Sequence, residues 1–82
     1  MKSSNSKANS LSKEELLFHR KELGKKIKGY RKANKLSQED LAQRSALHRN
    51  YISDMERGHR NVSFEALIKL ASGLGMSIRD FF

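Results

Sequence analysis

The sequence contains no cysteine, proline or tryptophan. The lack of cysteine excludes disulfide bridges and thiolate metal sites, so packing alone must hold the fold together. No apolar run approaches the roughly 18 residues that a membrane-spanning helix needs. The polar residues 1–10 also lack the apolar segment of a secretory signal. Together these absences predict a cytoplasmic protein with no membrane contact.

Patterns typical of catalysis and metal binding are missing as well. The three histidines, His19, His48 and His59, do not show the spacing of a metal site. Neither a glycine-rich phosphate loop nor a nucleophile paired with a base is visible. We therefore predict that the protein is not an enzyme and uses no cofactor or metal ion.

Basic residues are in large excess, because 17 Lys and Arg stand against 9 Asp and Glu, a formal net charge of +8. This balance favours a polyanionic partner, with nucleic acid first, although a solvated charged surface would give the same count. Hydrophobic residues make up 37% of the 82 residues, enough for one small core. Such a core is marginal, so a partner subunit would add stability.

A long first helix is predicted from a capping-box pattern, Ser12 with Glu15, and should reach about residue 34. Gly24 and Gly29 weaken a helix, and close packing of another helix would explain both of them. Residues 1–11 are predicted to form a flexible arm whose lysines either reach phosphates or stay idle. The predicted inner stripe of the helix is Leu16, Leu23, Ile27 and Tyr30.

The stretch from Ser37 to Gly58 predicts two short helices joined by a tight turn. Ser37 with Asp40 is a second capping pattern, and Gly58 suits the position just after a helix. Residues 45–47 break the periodicity and mark the turn. The small residue Ala42 should let the second helix cross closely over the first, and the apolar wedge between them should be formed by Leu41, Leu47, Ile52 and Met55.

Two further helices are predicted after this unit. Ser63 opens a fourth helix that ends at Gly75, and Ser77 opens a short fifth helix. Residues 12–82 are therefore expected to fold as one all-α, compact five-helix bundle. The apolar residues near the end exceed what so small a core can hide, which favours a symmetric dimer interface over burial in the subunit alone. This predicted interface comprises Met76, Ile78, Phe81 and Phe82.

The second helix of the central unit carries polar side chains on the face away from the wedge. A helix of this kind can enter the major groove of DNA with its first turn against base edges. Arg49 could pair with guanine, or it could hold a phosphate. Asn50 could contact adenine or cap the helix start, and His48 suits an N-cap or phosphate contact better than base reading.

Residues 23–82 resemble the Cro/phage-repressor type of helix-turn-helix domain. The segments that carry the resemblance are LGKKIKGYRK, LSQEDLAQRSAL, YISDMERG and LIKLASGLGMSIRDFF. Within that family, LHRNYISDMERGHRNVS is most similar to the small controller proteins of bacterial restriction–modification systems. The resemblance implies a lambda-repressor-like fold. The sequence differs from the family motif at one position, because Ala46 stands where the motif often has Gly. If the φ of Ala46 is positive, this substitution should cost about 1 kcal/mol of stability.

Site roles follow from the resemblance position by position. Arg31 and Glu56 match a pair that ties the first helix to the third, and we predict that this pair is buried. The residues that match base-reading positions are His48, Arg49, Asn50 and Ser53, and those that match backbone-contacting positions are Ser37, Gln38, Tyr51, Arg60 and Asn61.

The function implied is a homodimeric transcriptional regulator that binds double-stranded DNA at a near-palindromic operator. A restriction–modification controller that acts on its own promoter, as activator, repressor or both, fits best, with RNA polymerase as a candidate second partner. An antitoxin that represses its own operon is the alternative. A protein-binding adaptor is less consistent with the basic surface.

Overall fold

Four α-helices and one short 3₁₀ helix make up residues 11–82, the part of the chain that the computed structural model describes. The all-α prediction is confirmed, but the predicted fifth α-helix is a single 3₁₀ turn. Its four residues are too few for more than i→i+3 hydrogen bonds, such as Asp80 N–H to Ser77 O at 2.9 Å. The predicted arm lies outside the described residues except for Leu11. The elements are α1 (Lys13–Ala33), α2 (Gln38–Ser45), α3 (Arg49–Glu56), α4 (Phe64–Gly73) and the 3₁₀ helix (Ile78–Phe81).

Serine side chains set most of the helix starts. The Ser12 hydroxyl accepts from the N–H of Glu15, and the Glu15 carboxylate accepts from the N–H of Ser12, which completes a capping box. Ser37 and Asp40 form the same reciprocal pair at 2.9 Å in both directions. The Ser37 N–H lowers the pKa of Asp40, since this hydrogen bond favours the carboxylate. These starts were predictable because a capping box is a local interaction.

The core is formed where α1, α2, α3 and α4 meet. Leu16 was predicted to join it, but this side chain is 39% exposed. The buried positions of α1 begin only at Gly24, because the first half of the helix runs beyond the core. Leu17 and Phe18 are exposed there as well. The fully buried large side chains are Ile27, Leu41, Ile52, Met55 and Leu70.

The two glycines of α1 have different surroundings. A methyl group on Gly24 would collide with the backbone oxygens of Met55 and Glu56, the latter at 2.7 Å, so α3 crosses α1 in direct backbone contact. Around Gly29 there is no atom within 4 Å of the same position. The prediction of close packing is therefore confirmed for Gly24 and wrong for Gly29, whose side faces solvent.

The turn between α2 and α3 depends on a left-handed residue. Ala46 has φ 57°, so this residue does carry the strain expected when Ala replaces Gly there. The neighbouring bonds hold the turn in place, since Ser45 Oγ donates to Leu41 O at 2.7 Å and Leu47 N–H donates to Ala42 O at 3.0 Å. Gly73 of α4 lets the turn approach, because a methyl group there would lie 3.1 Å from Ser45 N.

Phe81 belongs to the core of the subunit. Its side chain is 2% exposed and its ring stacks on Tyr30 with 6.0 Å between centroids. Tyr30 Oη donates to Asp80 O at 2.8 Å, which holds the 3₁₀ helix against α1. The prediction that Phe81 faces a partner subunit is therefore corrected. Phe82 is 79% exposed, whereas Met76 and Ile78 are partly buried against the core.

Alanine substitutions at the two glycines of α1 should have opposite effects on stability. Gly24→Ala should lower the free energy of unfolding by about 2–3 kcal/mol, because the new methyl group meets rigid backbone. Gly29→Ala, its matched control, should raise that free energy by about 0.5–1 kcal/mol, since the methyl group enters open space and improves helix propensity. Urea denaturation at one protein concentration measures both. Equal effects at the two positions would show that α3 does not contact α1 at Gly24.

Candidate nucleic-acid interface

The helix α3 presents one face to the core and one to solvent. Ile52, Met55 and Glu56 are buried beneath it. Arg49 and Asn50 are exposed at its start, while Ser53 and Asp54 are partly exposed further along. The structure therefore places the predicted base-reading residues along the outer side of one short helix, where a groove of DNA could receive them.

His48 caps the start of α3. Its ring Nδ1 accepts a hydrogen bond from the backbone N–H of Asn50 at 3.1 Å. A neutral ring in this arrangement carries its proton on Nε2 and so presents a donor. The structure thus gives His48 a capping role, as favoured from the sequence, and leaves base reading by this residue a prediction.

Arg49 extends from the first turn of α3 and makes only a loose contact. Its Nε lies 3.9 Å from Oε1 of Glu39, and both side chains are more than half exposed. A surface ion pair of this length contributes under about 1 kcal/mol. The guanidinium can therefore leave Glu39 for a base edge or a phosphate at little cost.

The loop after α3 is fixed to it by an aromatic and a cationic side chain. The guanidinium of Arg60 lies 4.6 Å from the centre of the Tyr51 ring, a cation–π contact. Tyr51 Oη accepts from the N–H of Ser63 at 3.4 Å, which ties α3 to the start of α4. Asn61 is exposed beside them. Three of the predicted backbone-contacting residues, Tyr51, Arg60 and Asn61, therefore lie in one region.

Neither Asp54 nor Arg57 was assigned a DNA-contacting role from the sequence. The Asp54 carboxylate accepts from Arg57 at 2.8 Å and from Arg60 at 3.3 Å. The hydrogen bond from Arg57, with a smaller one from Arg60, lowers the pKa of Asp54, so the carboxylate stays charged. The i,i+3 spacing of Asp54 and Arg57 could have revealed the first contact. The second depends on the path of the loop.

Behind α3, Arg31 and Glu56 form a buried two-point ion pair. Arg31 Nε and Nη2 donate to the two Glu56 oxygens at 2.7 and 3.0 Å, and the two side chains are only 9% and 3% exposed. Arg31 Nη1 also donates to Leu36 O at 2.8 Å, and Gln38 Nε2 donates to Glu56 Oε1 at 3.0 Å. Every contact in this network crosses between elements.

Ser37 and Gln38 stand at the start of α2. The Ser37 hydroxyl serves the cap, and the Gln38 amide nitrogen is engaged by Glu56. The amide nitrogen of Gln38 carries a second N–H, which could donate to a phosphate while the bond to Glu56 is kept. Phosphate binding at this helix start remains a prediction.

Residues 11–82 contain neither a candidate membrane span nor a candidate metal site. None of the helices there is both long and apolar enough to cross a membrane. In the same part of the chain, acidic and histidine side chains do not gather in any group of three that could hold a metal ion.

A short second helix packed on its partner through a tight turn, with its polar first turn exposed, defines a helix-turn-helix domain. The helix-turn-helix family model matches residues 27–81. The control protein C.SmaI of Serratia marcescens is 48% identical over 56 residues, which span 68% of this chain and 67% of that protein. The control protein C.BamHI of Bacillus amyloliquefaciens is 48% identical over 59 residues, 70% of this chain and 72% of that protein.

The solved structures give the same result. The restriction-modification controller protein C.AhdI from Aeromonas hydrophila has a TM-score of 0.77 and 41% identity, covering 78% of this chain and 97% of that one. The chain belongs to the helix-turn-helix family of DNA-binding transcriptional regulators.

Removing the buried arginine should strongly destabilise the fold. Arg31→Ala should lower the free energy of unfolding by about 3–5 kcal/mol, because Glu56 would remain charged and buried without its partner. Arg57→Ala, the control, breaks an exposed pair and should cost under about 1 kcal/mol. Thermal melts monitored by circular dichroism measure both. A melting temperature for Arg31→Ala within about 2 °C of the parent would contradict the buried ion pair.

Proposed function

We propose that this chain is a homodimeric regulator that binds a near-palindromic operator in its own promoter, as a restriction–modification controller. The observation that carries the proposal is the start of α3. Arg49 and Asn50 stand exposed there on a helix that His48 caps and the core holds rigidly. Its relatives C.SmaI and C.BamHI are control proteins, and its structural neighbour C.AhdI is a restriction-modification controller.

Base reading is assigned to the exposed residues at the start of α3. Arg49 can donate two parallel hydrogen bonds to guanine O6 and N7, which discriminates by about 1–3 kcal/mol against other bases. Asn50 can make the corresponding pair with adenine. Ser53 lies one turn further along the helix and His48 at its cap, so both border the same stretch of groove.

Residues on both sides of the proposed base-reading group would contact the DNA backbone. At the start of α2 the N–H of Ser37 is bound to the Asp40 carboxylate. A phosphate there would bind to the N–H groups of the first helical turn beside Ser37, beginning with Gln38, which have no acceptor within the helix. On the other side, Tyr51, Arg60 and Asn61 present a basic and polar loop. These contacts fix register on the duplex without carrying sequence information.

The dimer would form through exposed apolar residues of α4 and of the C-terminal segment. Phe64 and Ile68 are one turn apart on this helix and both are exposed, as is Phe82. Met76 and Ile78 are partly buried against the core, and we assign them to the same interface. Exposed apolar clusters of this kind usually mark interfaces. In a dimer that reads two half-sites, the two α3 helices should lie about one DNA turn apart, about 34 Å. Such a regulator works in the cytoplasm, where RNA polymerase is a candidate partner.

The direct test is a DNase footprint on the DNA upstream of the protein's own gene. We expect protection of two inverted half-sites whose centres lie about one helical turn apart. Binding that shows no preference for this DNA over random-sequence duplex would overturn the proposed function.

Arg49→Ala should lose sequence preference more than total affinity. We expect affinity for the footprinted duplex to fall about 10-fold or more, because a two-point base contact is lost, while affinity for random DNA falls only a few-fold. Lys25→Ala removes the same charge from the outer face of α1, and it should change both affinities by one factor. Gel shifts at fixed salt measure the two ratios. A uniform loss in Arg49→Ala would make this arginine a purely electrostatic contact.

Ile68→Asp should convert the dimer to a monomer, because a desolvated carboxylate would face the partner's apolar surface. Leu17→Asp places the same charge on the exposed apolar half of α1 and should leave the dimer intact. Analytical ultracentrifugation gives the mass, and circular dichroism confirms that each variant is folded. A dimer that survives Ile68→Asp but not Leu17→Asp would place the interface on α1.

A further inference from the structure

The solvent-facing side of α1 carries a stripe of lysines that has no role in the proposed base-reading and backbone-contacting sites. Their spacing of four, three and four residues keeps them within about 60° of one another around the helix, and at about 1.5 Å per residue they extend along about 16 Å of it. All of these side chains are exposed. The members of this lysine stripe are Lys21, Lys25, Lys28 and Lys32.

Acidic neighbours do not neutralise the lysine stripe. From Leu23 to Gln38 the sequence has six Lys and Arg and no Asp or Glu. Among the described residues, Lys25 is the one member of the stripe with an acidic partner within 4 Å, namely Glu22 at 3.7 Å, and this pair is exposed. An exposed ion pair of this length contributes little and is readily exchanged for another anion. The stripe therefore presents nearly all of its positive charge to solvent.

The lysine stripe runs beside elements that we assign to DNA binding. At one end, Lys28 lies one turn before Arg31, whose Nη1 donates to Leu36 O at 2.8 Å just before α2 begins. At the other end, Lys21 packs against the turn after α3, where a methyl group on Gly58 would lie 2.6 Å from Lys21 Cγ. The stripe thus adjoins the start of α2 and the end of α3, and it continues away from them along α1.

We propose that the lysine stripe binds phosphates of the DNA that flanks each half-site, so that the contacted duplex extends beyond the bases read by α3. The inference rests on the proposed function of α3. Phosphate fits this surface, because lysine ammonium groups are flexible point charges that bind phosphate without a fixed geometry. Lysines spread over about 16 Å can reach several phosphates, which recur about every 3.4 Å along the duplex axis on one strand.

Contacts of this kind carry no sequence information. They should strengthen binding to every duplex that is long enough to reach the stripe, whatever its flanking sequence. Duplex length therefore separates local contacts of the stripe from a general attraction by the net charge. A duplex trimmed to the two half-sites lacks the flanking phosphates, whereas a longer duplex supplies them.

The test compares Lys28→Gln combined with Lys32→Gln against the parent on two operator duplexes. One duplex ends at the edges of the half-sites, and the other is longer by about ten base pairs on each side. On the longer duplex at about 0.1 M salt we expect the double variant to bind about 10-fold or more weaker than the parent. Its plot of log affinity against log salt should be shallower by up to about 2 per protomer, since each lost phosphate contact removes about 0.9. On the trimmed duplex the two proteins should bind within about 2-fold of each other.

The matched control is Lys13→Gln combined with Arg20→Gln. It removes the same two charges from α1, at positions about 100° around the helix from the lysine stripe. This variant should keep the salt slope of the parent and its gain in affinity on the longer duplex. None of the four substituted side chains is buried, so circular dichroism melts should show that both double variants are folded.

Two results would overturn the proposal. One is an equal loss for Lys28→Gln combined with Lys32→Gln on the trimmed and the longer duplex, because the lysines would then act without flanking phosphates. The other is an equal loss in the control, because any positive charge on α1 would then suffice. Random-sequence duplexes keep the two proposals separate. If the parent shows no operator preference, the proposed function fails, whereas the difference in salt slope on random DNA still decides whether the lysine stripe binds phosphate.

Discussion

The buried pair of Arg31 and Glu56 is the interaction on which the position of α3 depends. It joins α1 to the end of α3, and through Gln38 and the Leu36 carbonyl it also holds the start of α2. Burying two charges is costly, and a pair of hydrophobic residues could stabilise a core equally well. The ion pair also fixes the relative orientation of the helices, because its two parallel hydrogen bonds form in only one relative placement. Gly24 reinforces that placement by letting the backbones of α1 and α3 touch.

This rigid placement matters because α3 has only eight residues. An isolated helix of that length is unstable in water, so its shape must come from packing and from its cap. Ile52 and Met55 supply the packing, and His48 supplies the cap. The backbone from which the solvent-facing side chains extend is therefore fixed in position. Precise positioning of Arg49 and Asn50 is what base recognition requires, because a bidentate contact tolerates little displacement.

Local features of the sequence predicted the local features of the fold. The Ser12 and Ser37 capping boxes marked helix starts correctly because both partners lie within one turn. Leu16 and Phe81 were misplaced for one shared reason: exposure depends on which helices cross, and periodicity cannot show where a long helix leaves the core. The contact of Arg60 with Asp54 was missed for a similar reason, since a loop must bend before the two residues meet.

The charge distribution gives the domain two opposing requirements. A net charge of +8 attracts any duplex, and attraction to every duplex works against the recognition of one. The arginines on the α3 side have acidic neighbours, since Glu39 lies near Arg49 and Asp54 accepts hydrogen bonds from Arg57 and Arg60. The two contacts differ in strength, however. Arg49 is 3.9 Å from its carboxylate, whereas Arg57 is hydrogen-bonded at 2.8 Å. Arg49, which we propose as the base-reading arginine, is thus the easier one to release, and Arg57 is the more firmly retained.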